Sequence, residues 1–265
     1  MKKLDELINW FEDKNKVIIA LSGGVDSALV AYAAYQKLGK SAMAVTADYK
    51  TLSQEELETA KKVCLEIGIP HKIIVYDELE NEDFVKNDEK RCYHCRTELG
   101  DHLKNLQKKY SADIIVDGTN SDDLNDYRPG IIALRNYGIK SPLAELNFSK
   151  RDVRNEAKHA CLTIFDKPSN SCLASRIPWG QRVTAERLVR IELSEKFVKQ
   201  TINVKQVRVR DLDGIAKLEV GSNELNLLND TILKKISSKL QLFGFSSVVV
   251  DPEGYKPGKI NPIIE

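Results

Sequence analysis

Residues 22–27, with the sequence SGGVDS, have the residue types and spacing of a phosphate-binding loop. They join a short apolar run, VIIAL, to a run with helical spacing. Two adjacent glycines let the backbone approach a ligand closely, and successive N–H groups at the start of a helix attract anions. The loop lacks the lysine of a Walker A motif and the G-x-G-x-x-G spacing of a dinucleotide fold. We therefore expect it to cradle phosphates, although SGG alone is equally typical of a tight turn capped by Asp26 or Ser27.

Three of the five cysteines are spaced so that they could share one metal site. Cys92 and Cys95 form a C-x-x-C at the start of a predicted helix, and Cys172 lies far downstream in PSNSCLASR. A C-x-x-C is typical of a redox pair, of half of a zinc site or of part of an iron–sulfur site. Without a second C-x-x-C a four-cysteine zinc site is disfavoured, whereas three thiolates on a [4Fe–4S] cluster would leave one iron open for a hydrosulfide or substrate. We favour the cluster and keep zinc, and a redox or metal-free pair, as alternatives.

The remaining cysteines and most histidines have no such pattern. Cys64 and Cys161 are flanked by apolar residues, which indicates buried packing thiols. His71 follows Pro70 into a predicted strand, and His102 and His159 lie on charged helices. We expect these three histidines to be surface or packing residues rather than ligands.

Composition excludes several classes of protein. With 265 residues, 42% hydrophobic and 30% charged, the chain is too apolar and too evenly charged to be disordered. Five cysteines, an odd number at irregular positions, do not form a secreted disulfide framework. The N-terminus lacks the apolar core of a signal peptide, and no apolar run approaches the ~18 residues of a membrane span. We expect a cytoplasmic protein with reduced thiols and no membrane partner.

The first part of the chain alternates between strands and helices. Apolar runs predict strands at 17–21, 42–47, 72–75 and 113–116, and amphipathic spacing predicts helices at 4–13, 53–67 and 95–110, with a further one ending at Gly39. This alternation predicts an α/β fold, a parallel twisted sheet with helices on both faces. Ligands of such sheets bind at the carboxyl ends of the strands.

The pattern changes after about residue 175. The sequence IPWG at 177–180 is typical of a turn or linker. A helix at 184–199, strands at 206–210 and 216–220, a helix at 232–242 and a strand at 247–250 follow, and a turn-rich tail is expected at the surface. We therefore predict two domains, residues 1–176 and a smaller C-terminal α/β domain of residues 177–265.

The net charge of +1 conceals an uneven distribution. Residues 150–210 contain 14 Lys and Arg against 6 Asp and Glu, so that the rest of the chain is acidic. Arg208 and Arg210 alternate on a predicted strand and share a face, where two guanidinium groups would suit a phosphate. A solvated strand face is the alternative. Arg176 and Arg182 flank the Cys172 segment and would suit a carboxylate or phosphate.

Several motifs together resemble those of one family. The loop at 22–27 resembles the PP-loop of N-type ATP pyrophosphatases, which bind ATP with Mg²⁺ and cleave it between the α- and β-phosphates. With further segments, the chain resembles the LarE family of ATP-dependent sulfur transferases over nearly its whole length. These segments are RCYHCR, Gly118-Thr119-Asn120, Asp122-Asp123, Asp126-Tyr127-Arg128-Pro129-Gly130, PSNSCLASRIPWGQRVT and VRVR.

The resemblance implies roles for individual residues. The fold would be that of the PP-loop ATP pyrophosphatases, similar to the adenine nucleotide alpha hydrolases. Asp26 would act through the metal, and the acidic loop at 122–128 would border the nucleotide site or be a solvated connection. The residues implied to bind ATP or its pyrophosphate are Ser22, Gly23, Gly24, Asp26, Ser27, Gly118 and Thr119.

The resemblance also implies a reaction. The family adenylates the carboxylates of pyridinium-3,5-biscarboxylic acid mononucleotide and converts them to thiocarboxylates, on the way to a nickel-pincer nucleotide. One branch sacrifices the sulfur of a single cysteine at the position of Cys172. This chain also has Cys92 and Cys95 and so resembles the branch in which three cysteines hold a [4Fe–4S] cluster that carries sulfide. Cys172, Cys92, Cys95 and Asp26 would then be the catalytic residues.

Partners and competing functions follow from the same comparison. The family resemblance implies a nucleotide substrate, a sulfide donor and a homo-oligomer. A tRNA thiolation enzyme of the same superfamily is an alternative that would need a basic surface for RNA. A non-catalytic nucleotide- or metal-sensing protein is another, because a fold alone does not determine a function.

Overall fold

The structure, a computed structural model, describes residues 3–125, 128–204 and 206–256. Asp126, Tyr127 and the tail beyond residue 256, on which some of the sequence-based expectations fall, lie outside these residues. The chain divides into an N-terminal unit of residues 1–78 and 90–170 and a C-terminal unit of residues 79–89 and 171–265. The boundary expected from the sequence falls a few residues later and leaves residues 79–89 with the N-terminal part.

The secondary structure follows the predicted alternation. The strands are β1 (Val17–Ala20), β2 (Ala42–Asp48), β3 (His71–Val75), β4 (Ile114–Val116), β5 (Val207–Leu212), β6 (Ile215–Val220) and β7 (Ser247–Val250). The helices are α1 (Lys3–Asn9), α2 (Val25–Leu38), α3 (Gln54–Ile67), α4 (Glu82–Val85), α5 (Arg91–Tyr110), α6 (Pro129–Asn136), α7 (Pro142–Glu145), α8 (Lys150–His159), α9 (Ala185–Ile202) and α10 (Asp230–Leu242).

The N-terminal unit is built on a four-stranded parallel sheet covered on both faces. Val17 and Ile19 of β1 belong to a hydrophobic cluster formed with α1, α2, α3 and α8. Ile18, which points to the other face, belongs to a second cluster that includes Leu99 and Leu103 of α5. Burial on both faces explains why β1 is continuously apolar rather than alternating. The predicted α/β fold with helices on both faces is thus confirmed.

The order of the strands creates a natural ligand crevice. The order is β3–β2–β1–β4, so the chain moves from β1 to β2 on one side and later reaches β4 on the other. β1 pairs in parallel with β4, with Ile19 opposite Val116. The loops that follow these two strands therefore emerge side by side at the carboxyl edge, and open α/β sheets bind ligands where the strand order reverses in this way.

Helix α8 is anchored at its start and carries Lys150 towards this edge. Ser149 and Asp152 form a capping box, with the Ser149 backbone N–H and hydroxyl donating to Asp152 Oδ2 at 3.0 and 2.7 Å. Lys3 of α1 donates to the same oxygen at 2.7 Å. Lys3, followed by Ser149, holds the pKa of Asp152 well below its ordinary value.

Asp152→Asn is expected to lower the free energy of unfolding by about 1 kcal/mol near neutral pH, because the cap and the ion pair are weakened. The depressed pKa makes this contribution complete above the unfolded pKa of about 3.9 and lost as the pH falls below it. Urea unfolding of both proteins across this pH range measures the difference. The control is Glu58→Gln, which breaks an exposed pair with Lys61 and should leave the free energy of unfolding nearly unchanged at every pH. A cost for Asp152→Asn that does not shrink at low pH would contradict this account.

The C-terminal unit contains a three-stranded sheet in the order β5–β6–β7. β5 and β6 are antiparallel, and β6 and β7 are parallel. Residues 79–89 are tied into this unit by Asn87, whose side-chain amide donates to the carbonyls of Ile177, Pro178 and Gln181 at 3.3, 2.8 and 2.7 Å. Within the part of the chain that is described, no helix has the length and apolar character needed to cross a bilayer.

Candidate active site

The Gly-rich loop, residues 22–27 after β1, requires glycine at Gly23, the first of its two glycines. Gly23 has φ +80°, in the left-handed region that side chains disfavour. A Cβ there would lie 2.6 Å from the backbone oxygen of Glu56 on α3. Gly24 differs, because its φ is −87° and a Cβ would meet only the Ser22 hydroxyl, at 3.5 Å. Gly23 thus serves the packing of the loop, and the space beside Gly24 is open.

The start of α2 has no side-chain cap. Gly24 is the N-cap residue, and no side chain accepts a hydrogen bond from the first turn there. The Ser27 hydroxyl instead donates to the Gly24 carbonyl at 3.1 Å and accepts from the Ser22 backbone N–H at 3.2 Å. The first N–H groups of a helix need partners, and an anion is a good one. The arrangement therefore suits a phosphate group at this helix start.

The loop after β4 contacts the Gly-rich loop, as the sheet order requires. A Cβ on Gly118 would lie 2.5 Å from the backbone nitrogen of Ser27, so only glycine allows this approach. Asn120 donates from its side-chain amide to Asp26 Oδ1 at 3.1 Å. The Thr119 hydroxyl donates to the buried carboxylate of Asp117 at 2.9 Å, which fixes the turn. The predicted residue Gly118 thus lies against Asp26 and Ser27, and Thr119 follows it in a turn fixed by Asp117.

Two lysines that were not predicted as site residues lie at the loop. Lys150 forms an ion pair with Asp26. Lys167 donates to the Gly23 carbonyl at 3.1 Å and to Glu56 Oε2 at 2.9 Å. Neither lysine lies in a recognisable motif, and the only indirect signal was the capping pattern that begins α8 just before Lys150. Both carboxylate oxygens of Asp26 are engaged, one by Asn120 and one by Lys150, so a metal ion bound to Asp26 would share or displace these contacts.

The C-x-x-C lies on the first turn of α5, with a guanidinium beside it. Cys92 is exposed and Cys95 is half-buried. Burial opposes the charged form of Arg96, but Tyr49, Cys95 and Tyr76 raise its pKa above the ordinary value, so it stays charged. Cysteine sulfur is a common metal ligand, so the C-x-x-C supplies two candidate ligands.

Cys172 lies in the C-terminal unit, on a turn held by arginines. The Arg176 guanidinium is buried and donates to the carbonyls of Ser171 and Cys172 at 2.6 and 3.0 Å. Arg210 donates to the Ser175 carbonyl at 3.0 Å. Burial alone would raise the pKa of Glu195, but Arg176 lowers it below the ordinary value, and this carboxylate pairs with Arg176 at 2.9 Å. Arg176 and Arg210 thus fix the backbone on both sides of the Cys172 thiol.

The other arginines predicted to bind substrate are also engaged within the C-terminal unit. Arg210 pairs with the buried Glu219 at 2.9 Å, and Arg208 is buried over the Tyr255 ring, at 5.1 Å from its centroid. Burial, with the nearby Arg176, lowers the pKa of Arg208. Arg182 forms an exposed pair with Glu82 at 2.6 Å, an interaction that costs little to exchange for another anion.

Several cations of the basic segment at 150–210 are paired with carboxylates in the folded chain. Many of its cations pair with carboxylates that lie outside the segment, in the pairs Lys150–Asp26, Lys167–Glu56, Arg182–Glu82, Arg187–Asp211, Arg190–Asp211 and Arg210–Glu219. The segment is therefore better described as a set of internal ion pairs than as one open cationic surface.

One of the two cysteines expected to be buried is exposed. Burial raises the pKa of the Cys64 thiol to about 12, and this residue is confirmed as a packing thiol. The prediction for Cys161 is wrong, because it lies just beyond the end of α8 with φ 58° and faces solvent. Its apolar neighbours Leu162 and Ile164 pack instead.

The described residues contain no group of three or more His, Cys, Asp and Glu side chains in an arrangement that could hold a metal ion. Cys92, Cys95 and Cys172 are all free thiols, so the donor types expected of an iron–sulfur ligand set are present.

Comparisons with known proteins cover the whole chain. A family model described as queuosine biosynthesis protein QueC matches residues 16–96. The uncharacterized protein slr1717 of Synechocystis is 40% identical over 99% of this chain and 98% of its own length. Pyridinium-3,5-bisthiocarboxylic acid mononucleotide synthase of Lactiplantibacillus plantarum is 29% identical over 96% of this chain and 92% of its own length. The 7-cyano-7-deazaguanine synthase of Psychromonas ingrahamii is 42% identical over 22% of this chain.

The two kinds of match cover different parts of the chain. The match to the deazaguanine synthase is short, whereas the match to the thiocarboxylate synthase spans both units. The Gly-rich loop, its uncapped helix and the parallel sheet are the parts expected of a nucleotide-binding PP-loop unit. The chain belongs to the same family as slr1717, and its similarity to the thiocarboxylate synthase over nearly its whole length is consistent with the LarE family of the PP-loop superfamily.

Proposed function

We propose that the protein is an ATP-dependent sulfur transferase that converts a carboxylate of pyridinium-3,5-biscarboxylic acid mononucleotide to a thiocarboxylate. The observation that carries the proposal is the uncapped start of α2 beside Gly24, at the point where the strand order reverses. The nearly full-length similarity to a pyridinium-3,5-bisthiocarboxylic acid mononucleotide synthase supports the choice of substrate.

The first step would be adenylation of the substrate. The β- and γ-phosphates of ATP would lie against the Gly-rich loop and the start of α2, with Mg²⁺ near Asp26. A substrate carboxylate would attack the α-phosphorus, the bond to the bridging oxygen would break, and pyrophosphate would leave. This activation is needed because an oxide is a poor leaving group, whereas AMP is a good one. Lys150, once displaced from Asp26 by Mg²⁺, would be free to bind a phosphate oxygen.

The second step would need a sulfur nucleophile held by the cysteines. A [4Fe–4S] cluster bound by Cys92, Cys95 and Cys172 would leave one iron without a protein ligand. Sulfide bound there would be held in place even when the concentration of free sulfide is low. Arg176 and Arg210 would hold the Cys172 turn, and Arg182, whose present partner is exposed, would be available to bind the substrate anion. Sulfide would attack the acyl carbon and form the C–S bond of the thiocarboxylate, and AMP would leave with the oxygen that had joined the acyl carbon to phosphorus.

The proposed reaction is tested by its product. Protein reconstituted anaerobically with iron and sulfide is supplied with ATP, Mg²⁺, sulfide and the bis-carboxylate nucleotide, and the nucleotide is analysed by mass spectrometry. We expect the nucleotide to exchange oxygen for sulfur only when ATP is present. Cys92→Ala should abolish both this exchange and the iron–sulfur absorption. Product without ATP, or a reconstituted protein without iron, would contradict the proposal.

The alternatives make different predictions in the same samples. A tRNA thiolation enzyme would retain RNA after purification without nuclease, and its RNA binding would weaken steeply with salt. The internal pairing of the basic segment does not favour this function. A sensing protein would bind ATP but release no pyrophosphate when the carboxylated nucleotide is added.

Gly24→Ala tests the nucleotide site without disturbing the fold. Because the backbone at Gly24 suits alanine and its Cβ would contact only the Ser22 hydroxyl at 3.5 Å, the free energy of unfolding should change by less than about 1 kcal/mol. The methyl group would instead occupy the space proposed for a phosphate, and the KM for ATP should rise at least about tenfold, equivalent to about 1.4 kcal/mol. Thermal unfolding and pyrophosphate release measure the two quantities. An unchanged KM would place the phosphates elsewhere.

A further inference from the structure

A largely buried ion pair lies between the Gly-rich loop and helix α3. The side chains of Glu56 and Lys167 are 10% and 17% exposed, and Lys167 Nζ lies 2.9 Å from Glu56 Oε2. The same ammonium donates to the Gly23 carbonyl at 3.1 Å. The backbone oxygen of Glu56 also approaches Gly23 so closely that a Cβ would meet it at 2.6 Å. The Gly23 carbonyl is therefore bound by Lys167, and the Gly23 peptide packs closely against the backbone of Glu56.

The same carboxylate also holds the chain that leads to Cys172. The side-chain amide of Asn170 donates to Glu56 Oε1 at 3.1 Å. Glu56 thus binds Lys167 with one oxygen and Asn170 with the other, and fixes both ends of a four-residue segment. Cys172 follows Asn170 by two residues, a span of at most about 7 Å.

Stability alone is a poor explanation for this arrangement. Buried ion pairs often contribute little more than well-packed apolar side chains of the same volume. Here the partners are the loop proposed to bind ATP and the segment that precedes the proposed sulfur ligand. A contact that joins two functional segments has a use that an apolar contact lacks, because hydrogen bonds fix direction as well as distance.

We propose that Lys167, Glu56 and Asn170 form a clamp that couples nucleotide binding in the Gly-rich loop to the segment at 167–170, which leads to Cys172. Phosphates that bind the loop reorient the Gly23 peptide, and Lys167 and Glu56 transmit the change to Asn170. These three are positioning residues and need not touch the reacting atoms. The importance of Cys172 rests on the proposed function, whereas the coupling requires only that ATP binds to the loop.

The coupling can be measured without the cluster. Full-length protein free of iron is treated with iodoacetamide, with and without Mg²⁺ and a saturating ATP analogue that resists cleavage between its α- and β-phosphates. Mass spectrometry gives the alkylation rate of Cys172, and the exposed Cys161 is the internal reference. The analogue should slow alkylation of Cys172 at least about fivefold, the lower end of usual coupling factors, and leave Cys161 unchanged.

Matched variants separate coupling from stability. Glu56→Gln and Lys167→Met should abolish the effect of the analogue on Cys172 even at saturation. Glu58→Gln, on the same helix but in the exposed pair with Lys61, should retain it. Lys167→Arg, which keeps the cation, should restore part of the effect lost in Lys167→Met. Equal slowing in Glu56→Gln and wild type, or no slowing in wild type that binds the analogue, would overturn the proposal.

The outcome also distinguishes this proposal from the proposed function. If the analogue slows alkylation in wild type and not in Glu56→Gln, but the bis-carboxylate nucleotide never gains sulfur, the coupling stands and the assigned reaction fails. If the analogue does not bind to the wild type, measured by equilibrium dialysis, both proposals fail. If sulfur transfer occurs without any change at Cys172, only the coupling is wrong.

Discussion

Replacing Cys172 with alanine is expected to lower the rate of thiocarboxylate formation at least about 100-fold, because a residue that holds the reacting sulfur has no substitute. Exchange of labelled pyrophosphate into ATP, driven by the carboxylated nucleotide, should continue within about threefold of wild type, since adenylation precedes any role of the thiol. The two rates are measured on the same anaerobic sample, by product mass and by label in ATP.

The control for this variant is Cys161→Ala, which removes an exposed thiol outside the proposed site and should leave both rates unchanged. Thermal unfolding of both variants checks that the turn carrying Cys172 remains intact. Parallel loss of exchange and sulfur transfer in a stable Cys172→Ala protein would assign the residue to nucleotide binding instead. Unchanged sulfur transfer would show that the sulfur is delivered without it.

Gly23→Ala is expected to be the most damaging change in the nucleotide loop. A side chain at φ +80° costs about 1–2 kcal/mol, and a Cβ 2.6 Å from the Glu56 backbone oxygen adds about 1–3 kcal/mol of overpacking. Because the loop must shift to relieve this contact, the KM for ATP should rise more than about tenfold, beyond about 1.4 kcal/mol of lost binding. Chemical denaturation gives the stability and pyrophosphate release gives the KM.

Gly138→Ala is a matched control for Gly23→Ala. Gly138 has φ +67°, but a Cβ there would have no atom within 4 Å. It should therefore carry only the backbone cost of about 1–2 kcal/mol and leave the KM for ATP unchanged. If both variants change the free energy of unfolding and the KM for ATP equally, the close approach of α3 to the loop does not contribute to ATP binding.

The sheet of the N-terminal unit was predictable because its strands are short, apolar and separated by amphipathic helices. β1 and β2 lie within a residue of their predicted bounds, and the Ser53 cap of α3 is present, with its hydroxyl accepting from the Glu56 N–H at 3.3 Å. The helices between residues 129 and 159 were not predicted. α6 and α7 begin with proline and are short, and α8 has only Val153 and Ala157 as buried residues, so their apolar periodicity is weak.

The candidate site was predictable only where a motif or a strand end determines it. The Gly-rich loop and Gly118 follow neighbouring parallel strands, and so their proximity follows from the fold. Glu56, Lys150 and Lys167 reach the loop from two helices and a connecting segment, far apart in sequence, by contacts that no local pattern encodes. Arg176 is expected from the sequence beside the Cys172 segment and Arg210 on a strand face, each as a binding group for a substrate anion. In the structure both donate to the backbone of this segment, Arg176 to the Cys172 carbonyl and Arg210 to the Ser175 carbonyl, which no sequence pattern indicates.

The membership of residues 79–89 in the C-terminal unit has a consequence for how the protein is made. The Val85 carbonyl accepts from the Val183 N–H at 3.0 Å, and the Asn87 carbonyl from the Gly180 N–H at 3.0 Å. No single cut of the chain releases this unit whole, and a fragment that starts at residue 171 would expose the carbonyls that Asn87 binds. During synthesis this segment leaves the ribosome long before its partners exist. The unit can therefore be completed only after the N-terminal half has emerged, and it cannot be exchanged between proteins as a simple C-terminal cassette.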